Sequence, residues 1–392
     1  MDDKILHLAL VGGQTMPVYL ALQESKASKV VLVYSLSSKV EALGIRQDVE
    51  NSTIEREVVL VEMVPIEYNI IQSSFEKILD SYKDWIIEAN VSSGTKPWTI
   101  VLALLSAKYT NLHLIYVDQQ NVIYDLKTAE KHIIHVPCIS EMLKFNQTKV
   151  KSYRNLDEYT EDDYNVLDDI KMIRNKYMRV HGAFNTLTIP SRENKNKFDR
   201  HIGYIEDPRT GSEIQWNKEY QIEGSDEVIQ HVCFSFLDRY GKREDFELDS
   251  PHAFDLVISS GWFEYEVATI LRKWELCDEI WLNTVFPYNN TSPKNEIDII
   301  VKAGDKLVFV ECKTQIFDKT DIDKFASAVK NYGGLSAKAI FITSVSMDEQ
   351  AKEKCRTNNI ENFSFCDKNR KQVKHAALFS LLNSIIQNNN IR

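Results

Sequence analysis

Runs of apolar residues alternate with stretches of helical spacing over the first 150 residues. "ILHLALVGG" is apolar at nearly every position and ends in two glycines, as a strand covered on both faces would. "MPVYLALQES" follows with helical spacing, then a second strand, "KVVLVYS", and a second helix, "KVEALGIRQDVE". The alternation continues through the strand "EVVLVEMV", the helix "SSFEKILDSYKDW" with a serine cap, the strand "WIIEANV", the helix "GTKPWTIVLALLSAKY" and the strand "LHLIYVDQ". Apolar strands separated by helices predict a doubly wound, mostly parallel α/β sheet. "NVIYDLKTAEKHIIHVP" reads as a hairpin that ends this domain, at about residue 145.

The pattern then changes. Residues 146–250 begin with a polar connector containing the helical stretch "EDDYNVLDDIKMIRNKYM". They continue from about 182 as short strands with turns at "DPRTG" and "DRYGKRED", expected to form an antiparallel decoration. From 251 to 392 a third section has its own order: the helix "GWFEYEVATILRKW", the strand "EIWLNTVF", a hairpin over "NEIDIIVKAGDKLVFVECKT", the helix "TDIDKFASAVKNY" and the strand "AKAIFITSV".

At 392 residues the chain exceeds one ordinary core, and 43% apolar with 27% charged residues is a globular balance. No apolar run reaches the length of a membrane span and no leader pattern opens the chain, so a cytoplasmic protein without membrane contact is expected. Six cysteines without a CxxC pair predict neither a disulfide framework nor a zinc knuckle. The net charge of −10 excludes a protein that grips nucleic acid through a large basic face. Any nucleic-acid contact should be local, metal-assisted or conditional.

The hairpin breaks the apolar pattern. Residues two apart share a strand face, which puts Glu296 beside Asp298 and Glu311 beside Lys313, while Ile297, Ile299, Val308, Val310 and Cys312 face the other way. A solvated face laced with ion pairs is the simplest reading of an isolated E-x-K. Here the surrounding order of helix, three strands, helix and strand resembles the restriction-endonuclease-like PD-(D/E)xK nuclease fold. Asp298 matches that family's first acid, Glu311 and Lys313 its E-x-K, and Glu264 of "GWFEYEV" the helix-borne acid of a subset, with Ile297 in place of the motif's proline. The resemblance implies a Mg2+ or Mn2+ ion held by Asp298, Glu311 and the Cys312 backbone carbonyl, with Glu264 binding a second ion or a metal-bound water. It also implies Lys313 near the attacked phosphate, and Glu296 is read as a rim charge. Oxygen donors are the ligands such hard ions prefer.

"NVSSGTKPW" places small residues, a glycine and Lys96 at a helix N-terminus, where backbone N–H groups and the helix dipole favour an anion. Its spacing is not that of a Walker A loop, and "VGGQTMP" is not a dinucleotide fingerprint. The loop resembles the N-x-[ST]-G-G-T-K motif of CARF domains, the cyclic-oligoadenylate sensors of type III CRISPR immunity. Asn90, Ser92, Gly94, Thr95 and Lys96 match it, Ser93 stands for the first glycine and Trp98 for a smaller residue with an effect on pocket depth. Gly12, Gly13, Gln14, Thr15, Met16 and Pro17 hold the family's other ligand-facing loop, with Ser35 and Ser37 on the same sheet edge. His132 and His135 are read as structural.

Together the two resemblances imply a homodimeric nuclease activated by a cyclic oligoadenylate, most often cyclic tetra-adenylate in the family, that cleaves DNA and, as a second substrate, RNA. The alternatives are a constitutive restriction or repair nuclease, and a ligand-responsive regulator with an inactive nuclease fold.

Overall fold

The computed structural model describes residues 4–387 apart from 119–121, 192–193, 223–225, 238–239, 289, 293, 317 and 335–336, with 178–181 described by backbone alone. Asp238 and Arg239 of the expected "DRYGKRED" turn lie outside the described residues. Backbone contacts divide the chain into two units. One is Met1–Val150 with Lys302–Leu307 and Val329–Ala337; the other is Lys151–Val301, Val308–Ala328 and Lys338–Arg392.

In the first unit the order is β1 (Ile5–Val11), α1 (Met16–Glu24), β2 (Lys29–Tyr34), α2 (Lys39–Glu50), β3 (Glu57–Glu62), α3 (Tyr68–Ser81), β4 (Ile86–Asn90), α4 (Lys96–Ser106), β5 (Leu112–Val117), β6 (Val122–Asp125), β7 (Lys131–Ile133) and α5 (Ile139–Phe145). The sheet runs β3-β2-β1-β4-β5-β6-β7, parallel through β5 and antiparallel from β5 to β7. Alternation along β1 fills two cores. Leu6, Leu8 and Leu10 pack with Phe75 and Trp98, and Ala9 and Val11 with Val18 and Phe145. Helix α3 starts at Tyr68, earlier than the serine cap implied: Ser73 lies inside it and donates its hydroxyl to the Ile70 carbonyl at 3.1 Å.

The second unit opens with β8 (Ser152–Asn155), α6 (Glu161–His181) and α7 (Ala183–Thr188). Four antiparallel strands follow, β9 (Ile202–Glu206), β10 (Glu213–Gln221), β11 (Val228–Leu237) and β12 (Arg243–Ser250), in the order β12-β11-β10-β9. Beyond α8 (Ala253–Val257) come α9 (Gly261–Leu271), β13 (Glu279–Val285), β14 (Glu296–Ala303), β15 (Lys306–Lys313), α10 (Thr320–Tyr332), β16 (Lys338–Thr343), α11 (Glu349–Thr357), β17 (Glu361–Ser364) and α12 (His375–Gln387). The sheet order β17-β16-β15-β14-β13-β8 makes β14 and β15 neighbours at its centre, turned on Gly304 at φ +60°. Strand β8 joins the far edge antiparallel to β13, a pairing that the polar connector pattern did not reveal. The helix, three strands, helix and strand read in the sequence are α9, β13, β14, β15, α10 and β16, and the architecture is α/β in both units. No helix among the described residues is long and apolar enough to cross a membrane.

Candidate active site and sensor edge

The face that could have been solvated is not. Every residue of β14 after Glu296 is buried, and Asp298 and Glu311 are 5% and 2% exposed. Asp298 Oδ2 accepts from the Cys312 backbone N–H at 2.8 Å, which locks the acid of β14 onto the E-x-K of β15. The Lys313 ammonium then touches three oxygens: Glu311 Oε1 at 2.8 Å, the Cys312 carbonyl at 3.2 Å and Asp298 Oδ2 at 3.5 Å. Glu296 is exposed at the rim.

A second cation, Lys294, lies in the segment before β14. It pairs with Glu311 Oε2 and reaches Asp298 Oδ1 at 3.3 Å. The sequence reading missed it, because a residue ahead of a strand carries no face assignment. Its only signal was a lysine four residues before the first acid.

Glu264 sits in the first turn of α9, behind two residues in left-handed backbone, Ser259 (φ +57°) and Ser260 (φ +69°). A Cβ at Gly261 would lie 2.1 Å from the Asp255 carbonyl, so this approach to the helix requires glycine. The carboxylate accepts from Asn283 Nδ2 at 2.7 Å, and Asn283 itself has φ +47° where the β13–β8 register shifts. Strain of this kind on two elements that meet at one acid marks a functional position.

The charges are uneven. Burial opposes ionisation of Asp298, but Lys294, Lys313 and the Cys312 amide outweigh it and hold the acid below its usual range. Burial and then the Asp298 charge push Glu311 up. Part of Glu264 remains accessible, yet its carboxyl lies deep enough that burial, followed by the Asp298 charge, pushes it well up. Three mutually repelling carboxyls thus share two ammonium groups, an arrangement that additional positive charge would relieve. Among the described residues no three His, Cys, Asp or Glu side chains stand close enough to hold an ion. The third oxygen here is a backbone carbonyl, and Lys313 shows that it, Asp298 and Glu311 converge on one cation. The donor set fits a hard divalent ion.

At the carboxyl edge of the N-terminal sheet the two small-residue loops lock together. The Gly12 N–H donates to Ser93 Oγ at 3.1 Å, and that hydroxyl donates to the Gln14 carbonyl at 2.7 Å. Gly94 has φ +79°, and a Cβ there would lie 2.7 Å from Leu10 Cβ. Asn90 is buried and spends its amide on the Pro17 carbonyl (3.0 Å) and on Ser92 (2.6 Å to its hydroxyl). Ser92 Oγ in turn accepts from the Val117 N–H at 2.7 Å. Thr15 turns inward to the Phe145 carbonyl, Met16 packs on the core, and Ser35 is buried with its hydroxyl on Ser37 at 2.8 Å. Gly13, Gln14, Ser37 and Lys96 are exposed on this edge, with Gly12, Ser92, Ser93, Gly94 and Thr95 partly so. Lys96 begins α4, whose N-cap Thr95 gives its hydroxyl to the Pro65 carbonyl. Trp98 lies fully in the core with Nε1 on the Val64 carbonyl, so it does not alter a surface pocket.

Residues 258–367 match the Mrr_cat family model, described as restriction endonuclease. Comparison with curated protein sequences gives no match. Among solved structures the chain is similar to Can2 from Sulfobacillus thermosulfidooxidans in complex with cyclic tetra-adenylate, at 20% identity and TM-score 0.60, covering 97% of this chain and 99% of that one. Protein VC1899 from Vibrio cholerae is similar at 12% identity and TM-score 0.64, covering 98% and 97%. At these identities the likeness is one of fold. It extends over both units, an N-terminal sheet domain followed by a restriction-endonuclease-like domain.

Proposed function

We propose that the chain is a homodimeric, metal-dependent nuclease of type III CRISPR defence, switched on by a cyclic oligoadenylate, cyclic tetra-adenylate first, to cleave DNA and secondarily RNA. In this reading residues 1–145 sense the ligand, 146–250 connect and decorate, and 251–392 cut. The observation that carries the enzymatic half is the convergence of Asp298, Glu311 and the Cys312 carbonyl on the single Lys313 ammonium. The sensing half rests on the Gly12–Gly94 loop pair above the sheet edge and on the likeness to a protein solved with cyclic tetra-adenylate.

Asp298, Glu311 and the Cys312 carbonyl would hold Mg2+ or Mn2+, with Glu264 binding a second ion or its water. When bound, the ion supplies charge neutralisation at the phosphate and a more acidic water. The chain's own residues do the rest. Asp298, fixed by the Cys312 amide, keeps the two strands in register at the site. Lys313 gives up its place among the oxygens and presents its ammonium to the scissile phosphate, where negative charge grows in the transition state. Asn283 holds Glu264 in position. On the sensor edge Lys96 and the first N–H groups of α4 face the ligand phosphates.

The test is cleavage of plasmid, single-stranded DNA and RNA by purified protein with Mn2+, with and without tetra- and hexa-adenylate rings. Ligand-dependent cleavage is expected, lost by a factor of about a thousand or more in Asp298→Asn or Glu311→Gln with ligand binding intact. Lys96→Ala should do the reverse, weakening the ligand and sparing metal binding. Full cleavage without any ring would leave a constitutive nuclease, and ligand binding with no cleavage of any substrate a regulator.

A further inference from the structure

His7, Glu88 and His113 occupy the same register on three adjacent strands: β1 pairs His7 with Glu88 on β4, and β4 pairs Glu88 with His113 on β5. Registered residues of parallel strands point to one face, so the three form a polar row across a sheet otherwise packed with aliphatics. Asp125 at the end of β6 extends the row, its Oδ2 3.4 Å from His113 Nδ1. Glu88 Oε2 accepts from Ser25 Oγ at 2.9 Å, just past the end of α1.

The row borders a cleft of about 520 Å³. That volume suits a small organic molecule. Four carboxylates line it, Glu24, Glu88, Asp125 and Glu130, against one lysine, Lys131, while Ile115, Ile123 and Ala21 give apolar wall between them. The acids of the row remain ionised: the His7 imidazole, ahead of burial, holds Glu88 below its usual range, and the Thr128 and Lys127 amides overcome burial at Asp125. Beside this wall lies an unmet demand. His7 is fully buried, neither ring nitrogen has a hydrogen-bond partner, and Nδ1 is 3.8 Å from Glu88 Oε2. A buried, unpaired imidazole is costly unless something supplies its hydrogen bond. A ligand N–H bound at Glu88 stands beside that ring.

We propose that the cleft binds a short linear polyamine, with ammonium groups against the four carboxylates and methylene segments over Ile115 and Ile123. An acidic wall interrupted by apolar patches matches alternating ammonium and methylene groups and repels nucleotides. A bare metal ion fits less well, because no three of these side chains converge on a point among the described residues and the space far exceeds an ion. The proposal concerns the face of the sheet away from the Lys96 loop and stands whether or not that loop binds a cyclic nucleotide. It also gives His132 a place, since His132 lines the cleft whereas His135 turns to Glu141 at 3.0 Å.

Isothermal titration of the full chain, free of nucleic acid and at constant ionic strength, tests it with spermidine, putrescine, Mg2+ and Zn2+. Saturable one-to-one spermidine binding is expected, weakened roughly tenfold or more by Glu88→Gln with Asp125→Asn. Glu24→Gln with Glu130→Gln, at exposed positions, should weaken it in the same sense if the first pair fails to fold. Asp298→Asn should leave it unchanged, which separates this cleft from the acids of the nuclease site. No saturable spermidine binding, equal affinity in both double variants, or Zn2+ binding that is tight and lost with His7→Phe while spermidine gives no heat, each overturns the polyamine assignment.

Discussion

Lys294 is the residue whose role spacing could not supply. Its ammonium stands between Asp298 and Glu311, so in the resting protein it offsets repulsion that a divalent ion would otherwise offset. Replacing one partner of a buried, hydrogen-bonded charge pair leaves the others uncompensated, at a cost of about 3 kcal/mol. Lys294→Met should therefore lose stability of that order in metal-free urea titrations, and Mn2+ should restore much more stability to it than it adds to the wild type. Equal Mn2+ stabilisation of both proteins would mean that Lys294 does not share the ion's place. Asp298, Glu311 and Lys313 were legible because strand alternation fixes their faces. Lys294, in the irregular segment before β14, has a position set by the folded-back chain and by no period.

At the scale of elements, Asp163 ties the start of α6 to the end of β12. Fully buried, it accepts from the Thr160 N–H at 2.8 Å, the His252 N–H at 3.0 Å and His252 Nδ1 at 3.0 Å. Burial raises its pKa, but His252 and the Thr160 amide lower it further, and the net shift is downward. A carboxyl depressed on folding stabilises in full above its unfolded pKa, near 4, and loses that contribution as the pH falls through the folded value. Asp163→Asn should thus be less stable than the wild type by about 2 kcal/mol at pH 7, and the gap should close below pH 4. A gap that persists at pH 3 would place the cost in packing instead of charge. The helical period announced α6, but nothing in "EDDYNVL" says which of three consecutive acids faces inward. For the same reason β8 was hidden: four residues in a polar stretch become a strand only because β13 offers them an edge. The long buried strands of both sheets were legible, since their apolar runs have no other use.

For the whole molecule, the proposed switch needs two copies to meet at the sensor edge, and the first unit has an apolar surface suited to that. Ile100 and Leu104, one turn apart on α4, are 57% and 59% exposed, and Ile66 in the preceding segment is 77% exposed. Single exposed aliphatics are ordinary, but here they gather on the helix that begins with Lys96 and on the segment tied to it by the Thr95–Pro65 and Trp98–Val64 hydrogen bonds. Two such surfaces related by a two-fold axis would bring two Lys96 loops to one symmetric ring. A ligand that contacts both copies favours the paired state by its difference in affinity for the two states, and by no more. Ile100→Glu with Leu104→Glu places four like charges across that contact without disturbing any buried side chain. Sedimentation should find this variant monomeric, with ring affinity reduced and triggered cleavage absent, while Mn2+ still stabilises its nuclease site. A variant that remains dimeric and still answers the ring would move the interface elsewhere on the sheet domain.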